Sequence, residues 1–172
     1  MAEVKDYTSG KVLEAIKQTL EICDSFQGSL KDSKIGNRLR EETGKSDPRR
    51  MGPGEVTQLV RQSSMYAVGE RVCRAVFKDS PRTESVFLDE LAEGMVEIGW
   101  AQYVTQEEAL DVLGKYPKNP IVVSKVSGKH AEICNTWPER CVYWNLEKHG
   151  LKCISRRGDL RKPQNPDHGA AS

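Results

Sequence analysis

The chain changes character once, at Pro117. Before that point apolar residues recur at the three-and-four spacing of amphipathic helices; after it they gather into short β-branched runs. Ile121-Val122-Val123 opens the second part, Ser127-Gly128 marks a turn, and Lys129-His130-Ala131-Glu132-Ile133-Cys134 then alternates. Three of the five cysteines and two of the three histidines lie between 130 and 153. Helices followed by a small antiparallel sheet is the pattern of an α+β domain.

Within the helical part, Ser9 can cap a helix carrying Val12, Leu13, Ile16, Leu20 and Cys23. Residues 27–54 are polar, basic and rich in Gly and Pro, and predict a linker or mobile loop. Pro53 suits the first position of a second helix, whose stripe is Val56, Leu59, Val60, Ala67, Val68, Val72, Cys73, Val76 and Phe77. A third helix is expected over 84–98, with Phe87, Leu88, Leu91, Met95 and Ile98 inside. Thr105 and Glu108 form a capping box for a short helix that Gly114 stops. Strands are expected at 120–126, 130–134 and 141–144. The division is an N-terminal amphipathic helix (1–26), a linker (27–54), an α+β core (55–162) and a disordered tail (163–172).

Composition excludes little but is informative about charge. Lys plus Arg (26) nearly cancels Asp plus Glu (25), so no global field attracts nucleic acid or an anionic membrane. With 37% hydrophobic residues the 172-residue chain can build a real core, and no apolar run approaches a membrane span. The first residues lack a basic stretch followed by an apolar one, which predicts synthesis in the cytosol without a signal peptide, any export using another route. Five cysteines in such a chain favour free or metal-bound thiols. Cys23 and Cys73 fall on helical stripes and read as core. Cys134 and Cys141 would face each other across a hairpin, reduced in the cytosol.

One short echo, K-H-x-x-x-C, occurs at Lys129 to Cys134 and again at Lys148 to Cys153. His130, Cys134, His149 and Cys153 are a suitable ligand set for zinc if each copy is helical. In a strand the same spacing separates the side chains by about 13 Å. The first copy reads as a strand, so buried thiols and hydrogen-bonded histidines are the preferred reading and zinc is the alternative.

The order of elements resembles the NlpC-type and CHAP-type papain-like amidases that cut peptidoglycan stem peptides, in particular small amidase effectors delivered between bacteria. Gly128-Lys129-His130-Ala131-Glu132-Ile133 looks like the family's His strand, with one residue inserted after the Gly. The resemblance implies a papain-like fold and acyl transfer on peptide amide bonds. It places the nucleophile at Ser64 or Ser63, within Gln62-Ser63-Ser64-Met65-Tyr66, at the N-terminus of a helix. His130 would be the general base, and Asn145, or Tyr143 as the second candidate, would orient the imidazole. Trp100, Tyr103, Trp137 and Trp144 would line the cleft for a peptide or peptidoglycan fragment. Where the family has Cys this chain has Ser, and an alcohol is much harder to activate than a thiol, which implies a scaffold that has lost most activity.

The second class is a noncatalytic regulatory protein of a viral or phage-like kind, binding nucleic acid or a protein partner. Lys148, Lys152, Arg156, Arg157, Arg161 and Lys162 would supply its phosphate contacts, with or without zinc. A second basic cluster, Arg38, Arg40, Lys45, Arg49 and Arg50, lies in the linker.

Overall fold

The structure is a computed structural model and describes residues 2–79, 81 and 83–156. It is an α+β fold built on one six-stranded sheet in the order β1-β5-β6-β3-β2-β4, every neighbouring pair antiparallel. The strands are β1 (Arg49–Met51), β2 (Tyr66–Glu70), β3 (Glu84–Leu88), β4 (Ala101–Tyr103), β5 (Ile121–Val126) and β6 (Lys129–Asn135). The helices are α1 (Val4–Thr8), α2 (Lys11–Ser25), α3 (Lys34–Gly44), α4 (Pro53–Gln62), α5 (Val72–Val76), α6 (Asp89–Glu97), α7 (Gln106–Gly114) and α8 (Val142–Lys148), with a 3₁₀ turn at Pro138–Arg140.

Three expectations hold in place. β5 and β6 form a hairpin through Ser127 and Gly128, both at positive φ (51° and 81°), the backbone a two-residue turn needs to match strand twist. The Thr105–Glu108 capping box opens α7. The Ser9-Gly10 region opens α2, although Gly10 and not Ser9 is the N-cap.

Four others are corrected. The long helix expected from Pro53 to Phe77 is α4, then β2, then α5. The helix expected over 84–98 is β3 followed by α6. β3 is a central strand with Val86, Phe87 and Leu88 all buried, so it shows no alternation, and its apolar run joins the α6 stripe without a visible break. Residues 27–54 are not a loop: Ser33 accepts a bond from the Gly36 N–H and caps α3, and β1 forms the edge of the sheet beside β5. The strand expected at 141–144 is α8, whose Val142 and Leu146 lie one turn apart and pack with Leu20, Cys23 and Leu30. The tail expected at 163–172 lies outside the described residues.

Register sorts the sheet residues into two sides. Val123, Ile133, Val86 and Val68 form one cross-strand row and face α4 and α7, where Val56, Val60, Ala109 and Leu113 are buried. Ser124, Glu132, Phe87 and Ala67 form a row on the opposite side, and Val122, Cys134, Ser85 and Gly69 form the next. That side is covered by α1, α2, α6 and the start of α8.

Candidate ligand-binding pocket

The residues expected to act together sit on different elements, and two of them are hydrogen-bonded to other groups. Ser63 is the C-cap of α4 and Ser64 follows it, so the hydroxyl sits at the negative end of that helix, opposite to the end a papain-like nucleophile uses. Asp89 Oδ1 accepts from the Ser64 hydroxyl (3.2 Å) and from the backbone N–H groups of Ser64 (2.9 Å) and Met65 (3.3 Å). His130 is on β6, as expected, but its Nε2 lies 3.7 Å from Asp47 Oδ2 and has no hydrogen-bond partner. Burial, reinforced by Arg49 and Lys125, pushes its pKa below the usual imidazole value, so it is neutral at pH 7. Asn145 is on α8 and donates Nδ2 to the carbonyls of Cys141 (2.8 Å) and Glu139 (3.2 Å). Among the described residues no hydrogen bond joins any two of Ser64, His130 and Asn145.

The zinc set is likewise dispersed. His149 Nδ1 meets the Asn145 carbonyl at 2.9 Å, and the Cys153 thiol donates to the Tyr143 carbonyl at 3.5 Å. Among the described residues no group of three or more His, Cys, Asp or Glu side chains is placed to hold a metal. Of the aromatic residues, Trp100 donates to the Glu70 carbonyl (2.7 Å) and Trp144 to Thr136 Oγ1 (2.9 Å). Tyr103 is exposed on the β4 edge, and Trp137 begins the 3₁₀ turn. In the basic segment Arg156 pairs with Glu147 at 2.6 Å and lies over the Trp144 ring, and Lys148 contacts the Pro138 carbonyl, while Lys152 is exposed. Arg157, Arg161 and Lys162 lie outside the described residues.

A different constellation is assembled beneath α2. A cavity of about 330 Å³ lies between that helix and the polar side of the sheet. Val12, Ala15 and Ile16 of α2 form its roof, Ser124, Glu132 and Cys134 its floor, and Val72, Cys73, Cys141 and Tyr143 its far wall. The end of α3, through Glu42, Thr43 and Lys45, frames one side. This volume is at the lower end of the range typical of small-molecule sites, roughly 300–1,000 Å³.

Burial sets its chemistry. Tyr7 donates to Glu132 Oε2 at 2.6 Å, and burial raises the Glu132 carboxyl above its ordinary value despite that bond and the nearby Arg71 charge. The hydroxyls of Ser124 and Tyr143 share a 2.9 Å hydrogen bond, and burial drives the Tyr143 phenol upward. Burial also raises all three thiols: Cys73, Cys134 by a wide margin, and Cys141 to about 12. They are protonated thiols at neutral pH and poor nucleophiles.

Arg71, between β2 and α5, adds a buried positive charge to these groups. It is 1% exposed, and its Nε and both terminal nitrogens are buried without a hydrogen-bond partner. The thiols of Cys134, Cys73 and Cys141 are close enough to act on its charge, Cys134 within reach of a weak thiol contact, but among the described residues no oxygen acceptor is placed on it. Guanidinium stays charged even so.

Sequence reasoning did not single out Arg71, because an arginine inside an apparent helical stripe reads as an exposed polar position. A signal was present in β6, where His130, Glu132 and Cys134 alternate with Ala131 and Ile133. A carboxylate and a thiol on one side of an otherwise apolar central strand mark a side that is not simple core.

A second cavity, about 660 Å³, lies between the start of α4, the end of α7 and the 116–121 connection. It is larger, but its carboxylate, Glu55, is engaged by the Gly52 N–H, and it contains no buried charge of the Arg71 kind. Comparison with models of protein families, with curated proteins and with solved structures yields no match.

Proposed function

We propose that the protein is a noncatalytic binding protein that takes a small organic molecule into the cavity beneath α2. The carrying observation is the cavity itself: an apolar roof, a polar sheet side as floor, and Tyr7, Glu132, Ser124 and Tyr143 converging on it. Of the two classes compatible with the sequence, hydrolase scaffold and binding protein, the second is favoured because Ser64 and Asn145 are hydrogen-bonded to other groups and His130 lies beside Asp47. The thiols of the pocket are kept protonated, which suits a lining better than a nucleophile. A small molecule is preferred to nucleic acid because Arg156, within the basic segment, is paired with Glu147.

Fragment screening by ¹H–¹⁵N NMR tests this reading. Binding fragments are expected to shift the amides of Ala15, Val72, Ser124 and Tyr143, and Ala15→Phe, which fills the mouth from an exposed helix position, is expected to abolish the shifts in a folded protein. Fragments that instead map to the cleft between α4 and α7, or that bind Ala15→Phe unchanged, would remove the proposal.

A further inference from the structure

Three carboxylates line the cavity, and none neutralises Arg71. Asp6 accepts from the Glu3 N–H and faces Lys11 at 3.8 Å; Glu42 is paired with Lys45 at 2.8 Å. Glu132 feels the guanidinium electrostatically but takes its hydrogen bond from Tyr7, and no ion pair forms. Thiols are weak acceptors, so five N–H donors remain without an oxygen partner. An unpartnered buried charge is expensive, and the usual resolution is a partner that arrives from outside.

We infer that the ligand of this cavity is an organic monocarboxylate with an apolar body, its carboxylate held by Arg71, an inference that rests on the binding role proposed above. The planar guanidinium fork matches a carboxylate, and Val12, Ala15, Ile16, Val72 and Val142 provide the apolar surface for the remainder. One buried cation suits one negative charge. A phosphate dianion would also meet Glu132 and three thiols, with no second buried cation to balance it. The guanidinium nitrogens have no exposed surface, so a carboxylate reaches them only when the side chains lining the cavity shift.

The test is calorimetric binding of octanoate, phenylacetate and benzoate to the full chain, each against its primary amide, with inorganic phosphate as a further probe. At least one acid is expected to bind roughly tenfold to a hundredfold more tightly than its amide, the range for hydrogen bonds to a charged group. Arg71→Met is expected to bring acid and amide to equal affinity. Equal affinities in the unaltered protein would overturn the carboxylate assignment and leave the binding cavity standing. Binding of phosphate without binding of any acid would overturn it in favour of the other anion class. Absence of binding by every probe at tens of millimolar would remove both. Should Arg71→Met fail to fold, the acid–amide comparison in the unaltered protein decides alone, and Arg71→Lys, which keeps the charge but not the fork, is expected to retain only part of the preference.

Discussion

The two sides of β6 share one backbone and do opposite things. Ile133 points into a close-packed layer with Val123, Val86 and the helices α4 and α7. Glu132 and Cys134 point to the side where α2 stands off the sheet and a cavity remains. The first side is packed along its length, whereas the second joins packed Phe87 and Ala67 to a cavity lined by polar groups. The protein can hold a buried charge and protonated thiols in the second region because the first supplies the packing.

The largest contrast is chemical. With its thiol pushed up to about 12, Cys141 is expected to react with iodoacetamide at pH 8 roughly a thousandfold more slowly than an exposed cysteine, while the unfolded chain shows five reactive thiols. Mass-spectrometric labelling measures this, and rapid labelling of Cys141 in the folded protein would break the contrast.

Next comes packing. Ile133→Ala, on the close-packed side, is expected to cost about 2–5 kcal/mol in urea unfolding, whereas Cys134→Ala, on the neighbouring position facing the cavity, is expected to cost much less. Similar losses would mean that both sides are ordinary core.

A smaller effect of opposite sign is expected at Arg71. Without ligand its buried charge has no partner, so Arg71→Met is expected to leave unfolding stability unchanged or raise it by about 1–3 kcal/mol. A loss of several kcal/mol would show that the guanidinium is satisfied within the fold.

The smallest effect concerns pH. Burial raises Glu132, so its protonated form is favoured by folding; that contribution is fully present below the unfolded carboxyl value and is lost as pH rises through the raised native value. Glu132→Gln keeps an acceptor for Tyr7 and removes the titration. Its stability relative to the unaltered protein is expected to increase as pH climbs from about 4.3. Parallel urea midpoints across pH would contradict this.

Much of the fold was legible where local signals and tertiary packing agree. The capping box at Thr105, the turn at Ser127-Gly128 and the β-branched run of β5 each have a local cause that the whole fold reinforces. β2 and β3 were not legible, because Ala67, Val68 and Phe87, Leu88 fit helical spacing as well as strand spacing, and the choice is made by pairing to each other across the sheet. α8 shows the reverse: Val142, Tyr143 and Trp144 favour strands, yet burying Val142 and Leu146 together against α2 makes the segment helical.

At the site, the chain revealed the histidine strand but not what its alternating partners serve. Cys134 and Cys141 are not the cross-strand pair expected of a hairpin: both line one cavity, Cys134 from β6 and Cys141 from the start of α8. Arg71 had no local mark at all. Its importance arises from what is missing around it, and that is visible only once the sheet, α2 and α8 are in place.

The account rests on the cavity beneath α2 being a site for a ligand, and a crystal soaked with octanoate tests it most directly. Density for the acyl chain between α2 and β6, with the carboxylate at Arg71, is the expected result. Density confined to the cleft between α4 and α7, with the α2 cavity filled by rearranged side chains, would contradict it.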